Sequence, residues 1–222
     1  MASPSERLPG GLAHPLSAKV PQEPPDVRRQ RGARAMSVAA RLLAGASVFF
    51  FLSFLFAYFY LRSINQDNMW RPPHINPNQG LGAAFIVCVL LSAALTFLAG
   101  QRLKSESPGW VVPAAIAVVL GLAAIALQCI EYTVQHFGPT DGGYASVFVA
   151  WTGFYLVAVL ATMYWLETQV ATELRSRREG TEAPTGYEDP DKLLPRGFDA
   201  VVFYWLFLAG IGLITYVTLY LL

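Results

Sequence analysis

Charged residues divide this chain into long uncharged stretches, and that spacing limits what it can fold into more than any other feature. The uncharged runs are Leu42–Leu61, Gly80–Gly100, Ser107–Ile130, Gly142–Leu166 and Ala200–Leu222. A hydrocarbon core of roughly 30 Å is crossed by about 20 apolar residues in a helix, and lipid tolerates no unpaired backbone groups, so each run reads as a transmembrane helix. The fold class expected is all-α: a polytopic membrane bundle of five transmembrane helices, with spans at about 38–62, 80–101, 109–134, 143–168 and 199–222. Only 14% of the residues are charged and 54% are hydrophobic, against roughly 25% charged in ordinary soluble domains.

Basic residues set the expected orientation. Arg28, Arg29, Arg31 and Arg34 precede the first span, Arg102 and Lys104 follow the second, and Arg175, Arg177, Arg178, Lys192 and Arg196 lie between the fourth and fifth. The first connection holds Arg71, with Arg62 at its edge, and the third has neither Lys nor Arg. By the positive-inside rule the N-terminus lies in the cytoplasm and the C-terminus outside. The same rule and the pull of anionic headgroups account for the basic clusters, so no nucleic-acid partner is expected. Residues 1–35 carry six prolines and mixed charge without an apolar face, and are expected to be a disordered cytoplasmic tail ahead of a membrane domain at 36–222. With no cleavage site behind the first apolar run, that span is expected to stay in the mature protein.

The segment 171–198 is the other sizeable polar stretch. Ala171 to Glu179 could continue the fourth helix into the cytoplasm, whereas Gly180, Pro184, Gly186, Pro190 and Pro195 favour an irregular connection. Tyr58, Tyr60 and Trp70 are placed in an outer aromatic belt. Small residues at Ala40 and Ala44, at Ala117 and Gly121, and at Gly210 and Gly212 permit close helix approach.

Haem or buried copper needs imidazole, thiolate or thioether groups inside the bundle. His14 lies in the tail, and His74 and His136 lie in outer loops; Cys88 and Cys129 sit on different spans among apolar neighbours and read as small packing residues. The residues therefore predict no catalytic, cofactor-binding or metal-ligating site in this chain. Proton and substrate paths show ionisable groups deep in the hydrocarbon, and here the nearest is Glu131, toward the outer end of the third span, with Gln128 one turn earlier on the same face. The candidate residues are Gln128, Glu131 and Tyr132 for polar packing between helices, Tyr144 and Ser146 at the entry to the fourth helix, and Arg71 and His74 for loop or lipid-headgroup contacts.

Several motifs in order carry a resemblance. Leu127-Gln128-Cys129-Ile130-Glu131-Tyr132, then Asp141-Gly142-Gly143-Tyr144-Ala145-Ser146-Val147-Phe148, then Thr152-Gly153-Phe154, resemble subunit III of haem-copper cytochrome oxidases. The aromatic first span from Arg41 to Arg62, and Phe198-Asp199-Ala200 with Tyr204-Trp205-Leu206-Phe207, extend it over nearly everything after residue 36. The resemblance implies a non-catalytic respiratory-chain subunit, a short five-helix bacterial form, in the plasma membrane. It also implies packing against subunit I and near subunit II, with haem and copper in those partners, structural phospholipid on this chain, and support of the proton-uptake side of the complex. Departures from the family pattern fall at Ser47, where a membrane Glu is usual, and at Tyr155 and Leu206, where histidines are usual. A related subunit of a quinol oxidase or a nitric oxide reductase would have the same spans, and an unrelated assembly protein or carrier is a different class of reading.

Overall fold

The computed structural model describes residues 25–65, 69–105, 107–178 and 194–222. Helix α1 runs Pro25–Ser63, α2 Gln79–Lys104, α3 Val111–Val134, α4 Gly143–Arg178 and α5 Leu194–Tyr216; a turn of 3-10 helix at Pro108–Trp110 leads into α3, and a π-helical turn at Val217–Leu221 continues α5. Among the described residues five helices are long and apolar enough to cross a membrane, over Arg34–Ser63, Gln79–Lys104, Val111–Val134, Gly143–Thr172 and Gly197–Leu221. The architecture is an all-α membrane bundle, and the described residues contain no strand.

Two helices outrun the bilayer. α1 has 39 residues and α4 has 36, so each is well over 50 Å long at about 1.5 Å per residue. The start of α1 corrects one expectation, because Pro25 to Ala35 was assigned to a disordered tail and is helical. Proline suits a first helical position, where its missing N–H would have had no partner and its fixed φ is already helical. Residues 1–24 of that segment lie outside the described residues, as do 179–193 between α4 and α5. On the far side of that gap α5 begins at Leu194, ahead of the expected 199, with Pro195 in its first turn.

Helix α5 packs against α1, α2 and α4, while α2 packs most extensively on α3. The share of each span buried within the chain follows from this, at 50% for the α5 span and 17% for the α1 span. Lipid offers no hydrophobic force between helices, so association depends on close packing and interhelical hydrogen bonds. Ser92 of α2 supplies both, donating to the Ala117 carbonyl of α3 at 2.6 Å and accepting from Trp205 Nε1 of α5 at 3.2 Å. α1 lies on α4 and α5 through one stripe. Phe54 stacks on Trp151 with ring centroids 6.0 Å apart, Phe51 meets Tyr155 edge-on at 6.0 Å, and Ser47 Oγ is 3.2 Å from Tyr204 Oη. Leu42, Phe49 and Phe56, elsewhere on α1, are exposed as a lipid-facing surface would be.

The loop after α1 folds back over the start of α4. Tyr144 N–H donates to the Trp70 carbonyl at 2.9 Å, and Trp70 N–H to Asn65 Oδ1 at 2.9 Å. Trp70 and Tyr58 are both buried, with their rings 5.2 Å apart. This corrects their placement in an aromatic belt; of the three residues assigned there only Tyr60 is exposed. Tyr58 points inward because the loop brings an aromatic cluster over the helix end, a long-range event that spacing along α1 does not report.

Candidate functional site

A buried polar cluster occupies the end of the bundle where α2, α3, α4 and the π turn meet. Its centre is Glu131. The packed face of α3 descends through Ala114, Ala117, Gly121, Ala124, Gln128 and Glu131 at helical spacing, so the stripe that buries small residues lower down carries an amide and a carboxyl inward at its end. Glu131 is 1% exposed.

A buried carboxyl is costly unless hydrogen bonds replace the lost water. Gln128 Nε2 donates to Glu131 Oε2 at 3.0 Å, and Tyr220 Oη donates to the same oxygen at 2.7 Å. The backbone N–H of Asn78, ahead of α2, faces the same group. Oε1 is buried without a well-formed hydrogen bond.

Tyr220 reaches Glu131 because α5 ends in a π turn that is held from outside. The last carbonyls of a helix have no donor within it. Here Tyr144 Oη of α4 donates to the Leu219 carbonyl, and Gln79 Nε2 of α2 donates to the Tyr220 carbonyl at 3.2 Å. The ring of Tyr220 then lies across Gly82, where a Cβ would stand 2.3 Å from Cε1. A second pair repeats the device deeper in the membrane. Tyr155 Oη donates to the Leu208 carbonyl at 2.9 Å, and a Cβ on Gly212 would stand 2.2 Å from that hydroxyl.

The structure thus brings Gln128, Glu131 and Tyr144 into one cluster. Tyr132 lies one residue round the helix and shares a hydrogen with Thr152 Oγ1 of α4 at 2.7 Å. Ser146 is exposed and bonds locally, to the carbonyls of Pro139 and Gly142. Arg71 turns inward to its own loop: Nε donates to the Ile75 carbonyl at 3.1 Å, Nη2 to Asn76 Oδ1 at 3.2 Å, and the guanidinium lies 4.6 Å from the Tyr144 ring centroid. His74 is exposed on the same loop.

Sequence reasoning missed Tyr220, Gln79, Thr152 and Gly82. Tyr220 and Gln79 signal only by polarity within or beside an apolar run, which a residue at the membrane interface shows equally; Thr152 stands out only through the Thr152-Gly153-Phe154 motif, and Gly82 carries no signal of its own. Of the positions where the family pattern is broken, Ser47 and Tyr155 make interhelical hydrogen bonds and Leu206 faces outward at 41% exposure. Of the small residues, Ala40, Ala44, Ala117, Gly121 and Gly212 are packed, whereas Gly210 faces open space. Among the described residues no three His, Cys, Asp or Glu side chains converge as a metal site would require. Chemically, the cluster is a set of matched donors and acceptors between helices, with no nucleophile beside a base.

Fold and cluster together define a class: a polytopic α-helical membrane protein with buried polar side chains that bond between its own helices. The model of the cytochrome c oxidase subunit III family matches residues 30–222, and the chain belongs to that family. It is 26% identical over 181 residues to cytochrome c oxidase subunit 3 of Tachyglossus aculeatus aculeatus, covering 79% of this chain and 65% of that protein. It is 25% identical over 185 residues to the subunit 3 of Cyprinus carpio, covering 81% and 66%, and 28% identical over 191 residues to that of Latimeria chalumnae, covering 81% and 66%. The chain therefore spans about two thirds of the length of the curated relatives it matches.

Proposed function

We propose that this chain is the non-catalytic subunit III of a haem-copper terminal oxidase in a bacterial plasma membrane, with its N-terminus cytoplasmic and its C-terminus outside. The observation that carries the reading is the family match across the whole membrane domain. The polar core is consistent with it, since Tyr220, Gln128 and Glu131 Oε2 are engaged with one another and the outward helix faces are what the chain offers to others. Subunit I, with subunit II nearby, is the proposed neighbour and carries the haem and copper; phospholipid fills the remaining contacts. By packing on subunit I the chain restricts that subunit's conformations and protects its proton-uptake side during turnover. Purification in mild detergent through a tag on this chain tests the reading. Haem and copper signals in the optical spectrum, with an oxidase subunit I in the mass spectrum, are expected. A companion from a quinol oxidase or a nitric oxide reductase would redirect it, and a solitary homo-oligomer would end it. Removal of the chain is expected to shorten the enzyme's active lifetime more than it lowers the initial rate, and identical progress curves would refute that mechanism.

A further inference from the structure

We infer that Tyr220 and Glu131 form a redox-active pair, in which Tyr220 yields one electron to a high-potential one-electron oxidant while its phenolic proton passes to Glu131. An oxidised phenol is a strong acid, so a tyrosine is readily oxidised only where a base within hydrogen-bond reach, about 2.6–3.2 Å, takes the proton. Tyr220 Oη donates to Glu131 Oε2 at 2.7 Å, and the two residues are 6% and 1% exposed. Among the described residues no other tyrosine hydroxyl meets a carboxyl. Tyr144 and Tyr155 donate to backbone carbonyls, Tyr132 and Tyr204 pair with hydroxyls, and Tyr58 faces Arg62 Nη1. Carbonyls and hydroxyls are weak bases, and a guanidinium is none.

The charge balance favours the transfer. As the O–H bond of Tyr220 breaks, one electron goes to the oxidant and the proton to Oε2, leaving a neutral phenoxyl radical beside a neutral carboxylic acid. The step removes a buried negative charge and creates none, which suits a core where an isolated charge is costly. Gln128 Nε2, donating to the same oxygen at 3.0 Å, holds the carboxyl in position. Packed rings connect the pair with the loop after α1. Tyr220 meets Phe148 with centroids 5.5 Å apart, Phe148 stacks on Tyr144 at 6.0 Å, and Tyr144 meets Trp70 edge-on at 5.8 Å, all within ordinary aromatic contact. Arg71 lies 4.6 Å from the Tyr144 centroid, and a cation there repels a positive hole on that ring, so the radical settles on Tyr220. The natural oxidant, an oxygen-reducing metal centre in a neighbouring subunit, depends on the function proposed above; the chemistry of the pair does not.

The test is photo-oxidation of the full chain, purified with its companion subunits, by a ruthenium polypyridyl complex and a sacrificial electron acceptor. EPR of the frozen sample and light-minus-dark infrared spectra are recorded. A tyrosyl component and a new carboxylic-acid C=O band are expected, and Tyr220→Phe should remove both. Glu131→Gln keeps the size and an acceptor oxygen but is no base, and should lower the yield of that radical several-fold and abolish the band. Tyr204→Phe deletes a hydroxyl that bonds Ser47 between helices and should leave both signals, which separates proton transfer from a loosened bundle. Spectra unchanged by Tyr220→Phe would overturn the inference, as would a radical yield unchanged by Glu131→Gln or an equal loss with Tyr204→Phe. The external oxidant makes these signals independent of which companions are present, so their failure is distinct from failure to find subunit I.

Discussion

The ring of Tyr220 occupies the space where any residue other than glycine at position 82 would place its Cβ, which would come within 2.3 Å of Cε1 and 2.7 Å of Cδ1 and Cζ. α2 and the turn after α5, widely separated in the chain, are thereby fitted to each other at the level where Tyr220 bonds Glu131. An aromatic ring held by packing and by a hydroxyl hydrogen bond cannot swing aside at small cost.

Gly82→Ala should accordingly destabilise the bundle by about 1–3 kcal/mol, the usual cost of overpacking. Thermal unfolding in detergent would show it. Combining it with Tyr220→Ala should recover part of the loss, because neighbouring residues are not additive; a strictly additive double variant would mean that the two do not meet.

Gly121→Ala offers a contrast. Its Cβ would stand 1.9 Å from Met163 Sδ, closer still on paper. Methionine has an unbranched, flexible side chain that fills irregular space, so it can move where a tyrosine ring cannot. Gly121→Ala is expected to cost no more than about 1 kcal/mol, less than Gly82→Ala, and the reverse order in unfolding temperature would contradict this account.

The Glu131 cluster yields a graded series. Tyr220→Phe removes one of two donors to Oε2 and should cost about 1–2 kcal/mol. Glu131→Leu strands both the Tyr220 hydroxyl and the Gln128 amide in the core and should cost more, about 2–4 kcal/mol. Glu131→Gln, which keeps the size and an acceptor oxygen, should be the mildest change at that position and should leave the chain assembled. Unfolding of the three variants side by side checks the order.

In the loop between α1 and α2, Arg71 combines two hydrogen bonds within the loop with its place over the Tyr144 ring. Lysine cannot reproduce that planar fork. Arg71→Lys is expected to loosen residues 71–76 while sparing the helices, and limited proteolysis should cut this loop several times faster than in the unmodified protein. Equal rates would show that the aromatic cluster alone fixes the loop.

The sequence by itself determined the number of crossings, the class of fold and the inward direction of Gln128 and Glu131. Those properties follow from local rules, since a bilayer selects uncharged stretches of one length and the helical period places residues at 128 and 131 on the face that small residues define lower down α3. The tertiary structure alone decided what that face meets. Tyr220 is separated from Glu131 by 89 residues, Gly82 and Gln79 come from a third helix, and Tyr58 and Trp70 turn inward because a loop closes over them. Periodicity along one helix carries no information about the rotation and depth of its neighbours. Those are settled by which rings fit beside which glycines, and by which donors reach a carboxyl withdrawn from water.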